Sequence, residues 1–189
     1  MRFCDLILLL LLLATNQSAC FAAPSPISAA TERAEERTGQ FRGKVVSVTD
    51  GDTIDVLCNG TAERIRLNGI DCPEKRQAFG SKAKEYVSAQ CFDKVVTVKR
   101  FGHDRYGRTI GDVILPDGRM LNEELVRNGY AWWFRKYAPE NKTLESLEQQ
   151  AREKKIGLWH DTEPVAPWDF RHNRMSRKAH EVIRTGGSE

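Results

Sequence analysis

The apolar positions of the folded region begin near Phe41, where FRGKVVSV (residues 41–48) is β-branched and extended in character. The run breaks at Asp50-Gly51, a dipeptide favoured in tight hairpin turns, and a second strand resumes over Thr53 to Cys58. Asn59-Gly60 marks another turn. Residues 62–70 (AERIRLNGI) follow as a third strand, with Ile65 and Leu67 alternating against Arg64, Arg66 and Asn68. That alternation turns Arg66 away from the face that buries Leu67. The period then lengthens: Phe79, Ala83, Tyr86, Val87 and Gln90 recur at three- and four-residue steps, which predicts an amphipathic helix over Gln77 to Cys91. Two further strands are predicted over Lys94 to Arg100 and Arg108 to Leu115. The turn Pro116-Asp117-Gly118 leads into a short helix from Met120 to Asn128, closed by Gly129. A last helix covers Thr143 to Lys155, with Leu144, Leu147 and Ala151 inward and Gly157 as its stop. Five short strands with helices after the third and the fifth give a mainly β, α+β fold: a five-stranded Greek-key barrel of the OB type with about three helices.

The flanks read differently. Arg2, the apolar stretch Leu6 to Ala14 and the small residues near Cys20, Ala22 and Ala23 have the build of a secretory leader. A membrane span needs about 20 apolar residues, more than this run offers. Residues 1–22 are therefore expected to be removed on export, with no stable membrane association afterwards and a secreted or periplasmic mature chain. An uncleaved anchor and a lipid-modified Cys20 are the alternatives. Residues 23–40 form a polar linker without apolar periodicity, residues 41–160 the folded domain, and residues 161–189 a charged tail with two prolines.

Composition narrows the picture only slightly. A chain of 189 residues with 40% hydrophobic positions supports one compact domain. Its net charge of +3 does not by itself identify a partner, and a monomer is expected. Loss of the leader leaves Cys58, Cys72 and Cys91, an odd count that in an oxidising compartment points to one disulfide and one thiol. No CxxC pair or Cys/His cluster exists to hold zinc.

The chemistry sits in two turns. Asp50 and Asp52 lie in VTDGDT, and Asp71 and Glu74 in GIDCPE. In a three-strand meander both turns reach the same rim, so these hard oxygen donors converge. Ca²⁺, which takes roughly six to eight oxygens in flexible geometry, suits them. Read singly, each motif is ordinary turn chemistry. Arg66 and Arg108 add planar guanidinium forks for phosphate oxygens. Phosphodiester hydrolysis builds negative charge on the phosphoryl oxygens, which fixed cations stabilise. Glu74 is then the group to orient or deprotonate the attacking water. In HDRYGR, Arg105 and Tyr106 combine a cation with a stacking face, and Tyr137 offers a second ring to a nucleotide base. Trp132, Trp133 and Phe134 read as barrel packing.

VTDGDT, RIRLNGIDCPE, DRYGR, NGYAW and KKIGLW occur in the order seen in staphylococcal-nuclease-like proteins, over about residues 41 to 159. The resemblance implies an OB-fold barrel, Ca²⁺ dependence, and endo- and exonucleolytic cutting of DNA and RNA on the 5′ side of the phosphate. By the same resemblance Asp52 and Asp71 are carboxylate ligands of the ion, Cys72 supplies a main-chain carbonyl, and Asp50 is an acidic neighbour. Arg66 and Arg108 are similar to the phosphate-binding arginines, Glu74 to the catalytic glutamate, and Tyr106 and Tyr137 to nucleotide-contacting tyrosines. The best-known members carry Thr at the Cys72 position, and here an exposed thiol would be open to oxidation. Cys58 and Cys91, absent from cysteine-free members, are expected to form the disulfide. The alternative to an enzyme is an inactive OB-fold module that binds nucleic acid or protein.

Overall fold

A computed structural model describes residues 39–185, with side chains to residue 176. The leader of residues 1–22 and nearly all of the linker lie outside the described residues. The barrel strands are β1 (Gln40–Asp50), β2 (Thr53–Cys58), β3 (Thr61–Leu67), β5 (Val95–His103) and β6 (Thr109–Ile114). They close in the order β1-β2-β3-β6-β5. All neighbours are antiparallel except β3 and β6, which run parallel with Ile65 opposite Thr109 and Leu67 opposite Gly111. This is the predicted five-stranded barrel.

The turns follow from the residues that form them. Asn59 and Gly60 both take positive φ, 48° and 80°, the pair of angles that a two-residue β2–β3 hairpin of type I′ requires. In the β1–β2 turn Gly51 is needed for closeness: a Cβ there would stand 2.9 Å from the Cβ atoms of both Cys72 and Ala83. The Asp50–Asp52 turn is thereby pressed onto the chain that carries Asp71. Inside the barrel, Val45, Ile54, Val56, Ile65, Leu67, Val96, Val98 and Val113 form the core, the inward half of each strand's period-two pattern.

Four α-helices occur among the described residues, one more than the sequence pattern supplies: α1 (Gly80–Cys91), α2 (Leu121–Arg127), α3 (Lys142–Glu153) and α4 (Pro167–Thr185). Helix α1 starts three residues later than predicted. Residues 74–80 form tight turns instead, with Gln77 N donating to Glu74 O and Gly80 N to Gln77 O. The Gln77 side chain ties this loop down by accepting from Glu74 N at 3.1 Å and donating to Val165 O. Asn141 caps α3 by accepting from Leu144 N. Gly157 opens a 3-10 turn, Gly157–His160, where a simple helix stop was expected.

A two-residue strand pair, β4 (Ile70–Asp71) with β7 (Trp132–Trp133), lies outside the barrel sheet and sets Asp71 opposite Trp132. Trp132, Trp159, Leu158, Ala151 and Ala166 build a second apolar cluster beneath it, with Trp168 of α4 packed against them. The segment read from sequence as a polar tail thus enters the fold as a helix. Pro167, at its first position, is preset for a helical start.

Candidate active site

Asp52 and Asp71 come together on Arg66. The turn after β1 delivers Asp52, β3 delivers Arg66 on its outward face, and the short β4 delivers Asp71. Arg66 Nη2 lies 2.9 Å from Asp71 Oδ1 and 3.2 Å from Asp52 Oδ2. Its Nη1 donates to the main-chain oxygens of Leu67 and Ile70 at 3.1 and 3.0 Å. The guanidinium is therefore fixed before any substrate arrives, with only 15% of the side chain exposed. Asp52 is pinned in turn, accepting from Cys72 N at 3.0 Å and from the Thr53 hydroxyl.

Electrostatics follow from burial. Asp71, 1% exposed, has its carboxyl raised above the ordinary aspartate value because burial penalises the anion more than its arginine partners favour it. Asp50 is raised by burial and by the neighbouring Asp52 and Glu74 charges, against the hydrogen bond it accepts from Gly51 N. For Arg66, burial opposes the charge, but Asp52 and Asp71 hold it firmly cationic.

Glu74 meets this cluster through a residue that the sequence reading missed. Arg171, on α4, places Nη2 2.7 Å from Asp71 Oδ2 and Nη1 2.8 Å from Glu74 Oε1. Asp52, Arg66, Asp71, Arg171 and Glu74 thus form a line of alternating charge. The signal that could have revealed Arg171 is its position one helical turn after Trp168, behind Pro167.

Other predicted residues stand apart. Arg108 pairs with Asp104 at 2.7 Å in the β5–β6 turn, and Tyr106 at the tip of that turn is 68% exposed, with the Arg105 guanidinium 4.8 Å from its ring centre. Arg108 immediately precedes β6, whose Thr109 and Ile110 pair with Ile65 and Arg66 of β3. Tyr137 is exposed and meets Phe134 edge-on at 4.8 Å. A pocket of about 550 Å³ beside it is lined by Trp132, Phe134, Arg135, Glu148, Arg152 and Trp168 among others.

The cysteine expectations need correction. No Cys58–Cys91 disulfide is present. Cys91 Sγ is buried under the barrel, donating to Val87 O within its own helix, whereas Cys58 ends β2 at the hairpin. Cys72 is buried too, not an exposed thiol, and burial followed by the nearby Asp52 charge pushes its thiol well up, so it stays protonated.

The sequence matches the family described as "Staphylococcal nuclease homologue" over residues 64–161. That span runs from the Arg66 strand through β4, Glu74, the Asp104–Arg108 turn and the Trp159 cluster. The chain belongs to the staphylococcal nuclease family. As a member it is similar to an "uncharacterized endonuclease" of Escherichia coli, 45% identical over 134 residues, which cover 71% of this chain and 87% of that one. It is also 41% identical over 148 residues to a micrococcal nuclease of Shigella flexneri, covering 74% and 84% of the two chains. A staphylococcal-like nuclease of Arabidopsis thaliana, CAN1, is 35% identical over 111 residues, 59% of this chain and 34% of that one. In this staphylococcal nuclease homologue, Arg171 and all of α4 lie beyond the matched residues.

Proposed function

We propose that this chain is a Ca²⁺-dependent nuclease that hydrolyses the phosphodiester backbone of DNA and RNA on the 5′ side of the phosphate. Family membership makes it a nuclease, hence a hydrolase. The observation that carries the finer reading is the meeting of Asp52 and Asp71 on one nitrogen of Arg66. Two buried carboxylates this close repel each other unless a positive charge stands between them, which Arg66 supplies here and a divalent ion would reinforce.

The residues present fit such an ion in kind, since Asp52 and Asp71 are hard oxygen donors that converge, with the Cys72 main chain against Asp52. Among the described residues, no three His, Cys, Asp or Glu side chains cluster at metal-binding spacing. By the likeness to the family, the donors would be the two hard carboxylates of Asp52 and Asp71 and the Cys72 main-chain carbonyl, with water completing the shell. That composition suits Ca²⁺ better than zinc. When bound, the ion supplies Lewis-acid stabilisation of the phosphoryl oxygens. Arg66 contributes a guanidinium already immobilised by two carbonyls, so its charge needs no reorganisation as the reaction proceeds. Arg108 offers a second guanidinium from the neighbouring turn, and Glu74 accepts the proton of the attacking water. Arg105 and Tyr106, exposed at the turn tip, and Tyr137 present cation and ring surfaces to the nucleotide. Export of the mature chain belongs to the same proposal, supported by the apolar stretch within residues 1–22.

The test is digestion of plasmid DNA, single-stranded DNA and RNA in Ca²⁺ and in EGTA. Cutting in Ca²⁺ is expected to fall by at least about 100-fold in EGTA, a loss typical of removing one transition-state charge contact. Undiminished cutting in EGTA would refute the calcium reading.

A further inference from the structure

Both oxygens of Asp71 are taken by guanidinium groups. Oδ1 accepts from Arg66 at 2.9 Å, with Arg171 Nη1 at 3.4 Å, and Oδ2 accepts from Arg171 Nη2 at 2.7 Å. Each oxygen keeps a further lone pair, but a metal ion on Asp71 would stand beside these guanidiniums, and like charges that close repel. Arg66 is the harder to move, since it springs from the barrel wall and its Nη1 is held by the Leu67 and Ile70 carbonyls. Arg171 is the easier: its side chain is 37% exposed and its partners are the carboxylates of Asp71 and Glu74. It is a cation among carboxylates, opposite in charge to any phosphate, so it imitates the metal ion and not the substrate.

The helix bearing it is docked by a small set of contacts. Trp168 stacks on Phe134 with ring centres 5.1 Å apart and planes 7° apart, and meets Trp132 edge-on at 5.6 Å. Gln77, from the loop that carries Glu74, donates to Val165 O just ahead of α4. One short stretch of chain therefore closes over the acidic loop and inserts a positive charge at its centre.

We propose that α4 is a built-in plug whose Arg171 guanidinium serves as the resident counter-cation of Asp71 and Glu74, and that a divalent ion loads the site by exchanging with it. The inference rests on the reading of Asp71 as a cation ligand. Docked Arg171 neutralises buried Asp71 and half-buried Glu74 and stabilises the ion-free protein; loading exchanges that charge for the ion and frees Glu74 to face water. Coupling between the two cations is reciprocal, so every increment by which Arg171 favours the closed helix weakens the apparent affinity for the ion.

Calorimetric titration of the mature chain with Ca²⁺ alone, without nucleic acid, tests this. Arg171→Gln is expected to bind Ca²⁺ more tightly than the wild type by roughly 5- to 150-fold, the usual range of coupling between two sites. Trp168→Ala, which loosens the helix and leaves Arg171 in place, is expected to shift affinity in the same direction. In the wild type, Ca²⁺ should also change tryptophan emission as Trp168 unstacks, and circular dichroism verifies that both variants are folded. Equal or weaker Ca²⁺ binding by Arg171→Gln and Trp168→Ala overturns the plug and leaves the calcium reading standing. Absence of Ca²⁺ binding in wild type and variants alike overturns both.

Discussion

Replacing Arg66 with alanine tests whether the carboxylate pair depends on that one side chain. The substitution removes hydrogen bonds to Leu67 O and Ile70 O and both ion pairs, at 2.9 Å to Asp71 and 3.2 Å to Asp52. Removing one partner of a buried ion pair typically costs about 3–5 kcal/mol, because the surviving charge is left buried. Two features favour the lower end here. Arg66 is 15% exposed, so water can refill part of its place, and Arg171 continues to neutralise Asp71. A loss of about 3 kcal/mol is therefore expected. In a domain of this size each kcal/mol moves the melting midpoint by roughly 2–4 °C, so the midpoint in EGTA should drop by roughly 6–12 °C. Thermal melts followed by circular dichroism, in EGTA and in excess Ca²⁺, measure this directly. A divalent ion restores the missing positive charge, so Ca²⁺ should raise the variant's midpoint more than the wild type's. Cutting, assayed well below both midpoints, should fall by about 100-fold. A variant that melts within about 2 °C of the wild type in EGTA would refute the reasoning, since the two carboxylates would then be indifferent to the arginine between them.

Two more predictions concern the barrel wall and the substrate surface. Glu63 accepts from Arg100 and from the Thr109 hydroxyl, tying β3 to both β5 and β6. Burial raises its carboxyl, but these hydrogen bonds outweigh that and hold it below its ordinary value of 4.5. The unfolded chain therefore binds more protons there than the folded one, so this stabilisation is full above the ordinary value and drains away as pH falls through the lowered one. Glu63→Gln should lower the melting midpoint at pH 7 and draw toward the wild type as pH falls below the ordinary glutamate value and through the lowered one; a gap constant with pH would contradict the assignment. Tyr106→Ala should weaken binding of a single-stranded oligonucleotide by roughly 5- to 150-fold, the value of one stacked base, with the melting midpoint unchanged because the ring is exposed. Fluorescence polarisation in EGTA checks it, and unaltered binding would reduce Tyr106 to an ordinary surface residue.

The barrel was legible because its signals are local. Strand-like runs bounded by turn residues placed all five strands, Asn59-Gly60 and Asp50-Gly51 named their hairpins, and Ile65 and Leu67 are buried while Arg66 turns outward to the carboxylates. What escaped depends on distant partners. Gln77 looks helical by spacing, but its side chain holds Glu74 N and Val165 O, and so helix α1 begins only at Gly80. Strand β4 is two residues long and exists only because Trp132 and Trp133 lie opposite. Arg171 sits in a segment whose charge reads as solvated, and it is contacts between distant residues, such as the stack of Trp168 on Phe134, that bring it to the acidic loop. The cysteine expectation failed for a similar reason: an odd count says that pairing is possible, not where Cys58 and Cys91 point.

The parallel seam between β3 and β6 sets an order on biosynthesis. Ile65 cannot find Thr109 until β5 and β6 have left the ribosome, and the intervening loop must first give up its freedom. Until then Asp52, Arg66, Asp71 and Glu74 are all synthesised but ride on isolated hairpins, which are marginal in water. The cluster thus becomes a defined object late, when the seam is sewn. A growing chain carries every charge of its site well before it carries the wall that holds them in place.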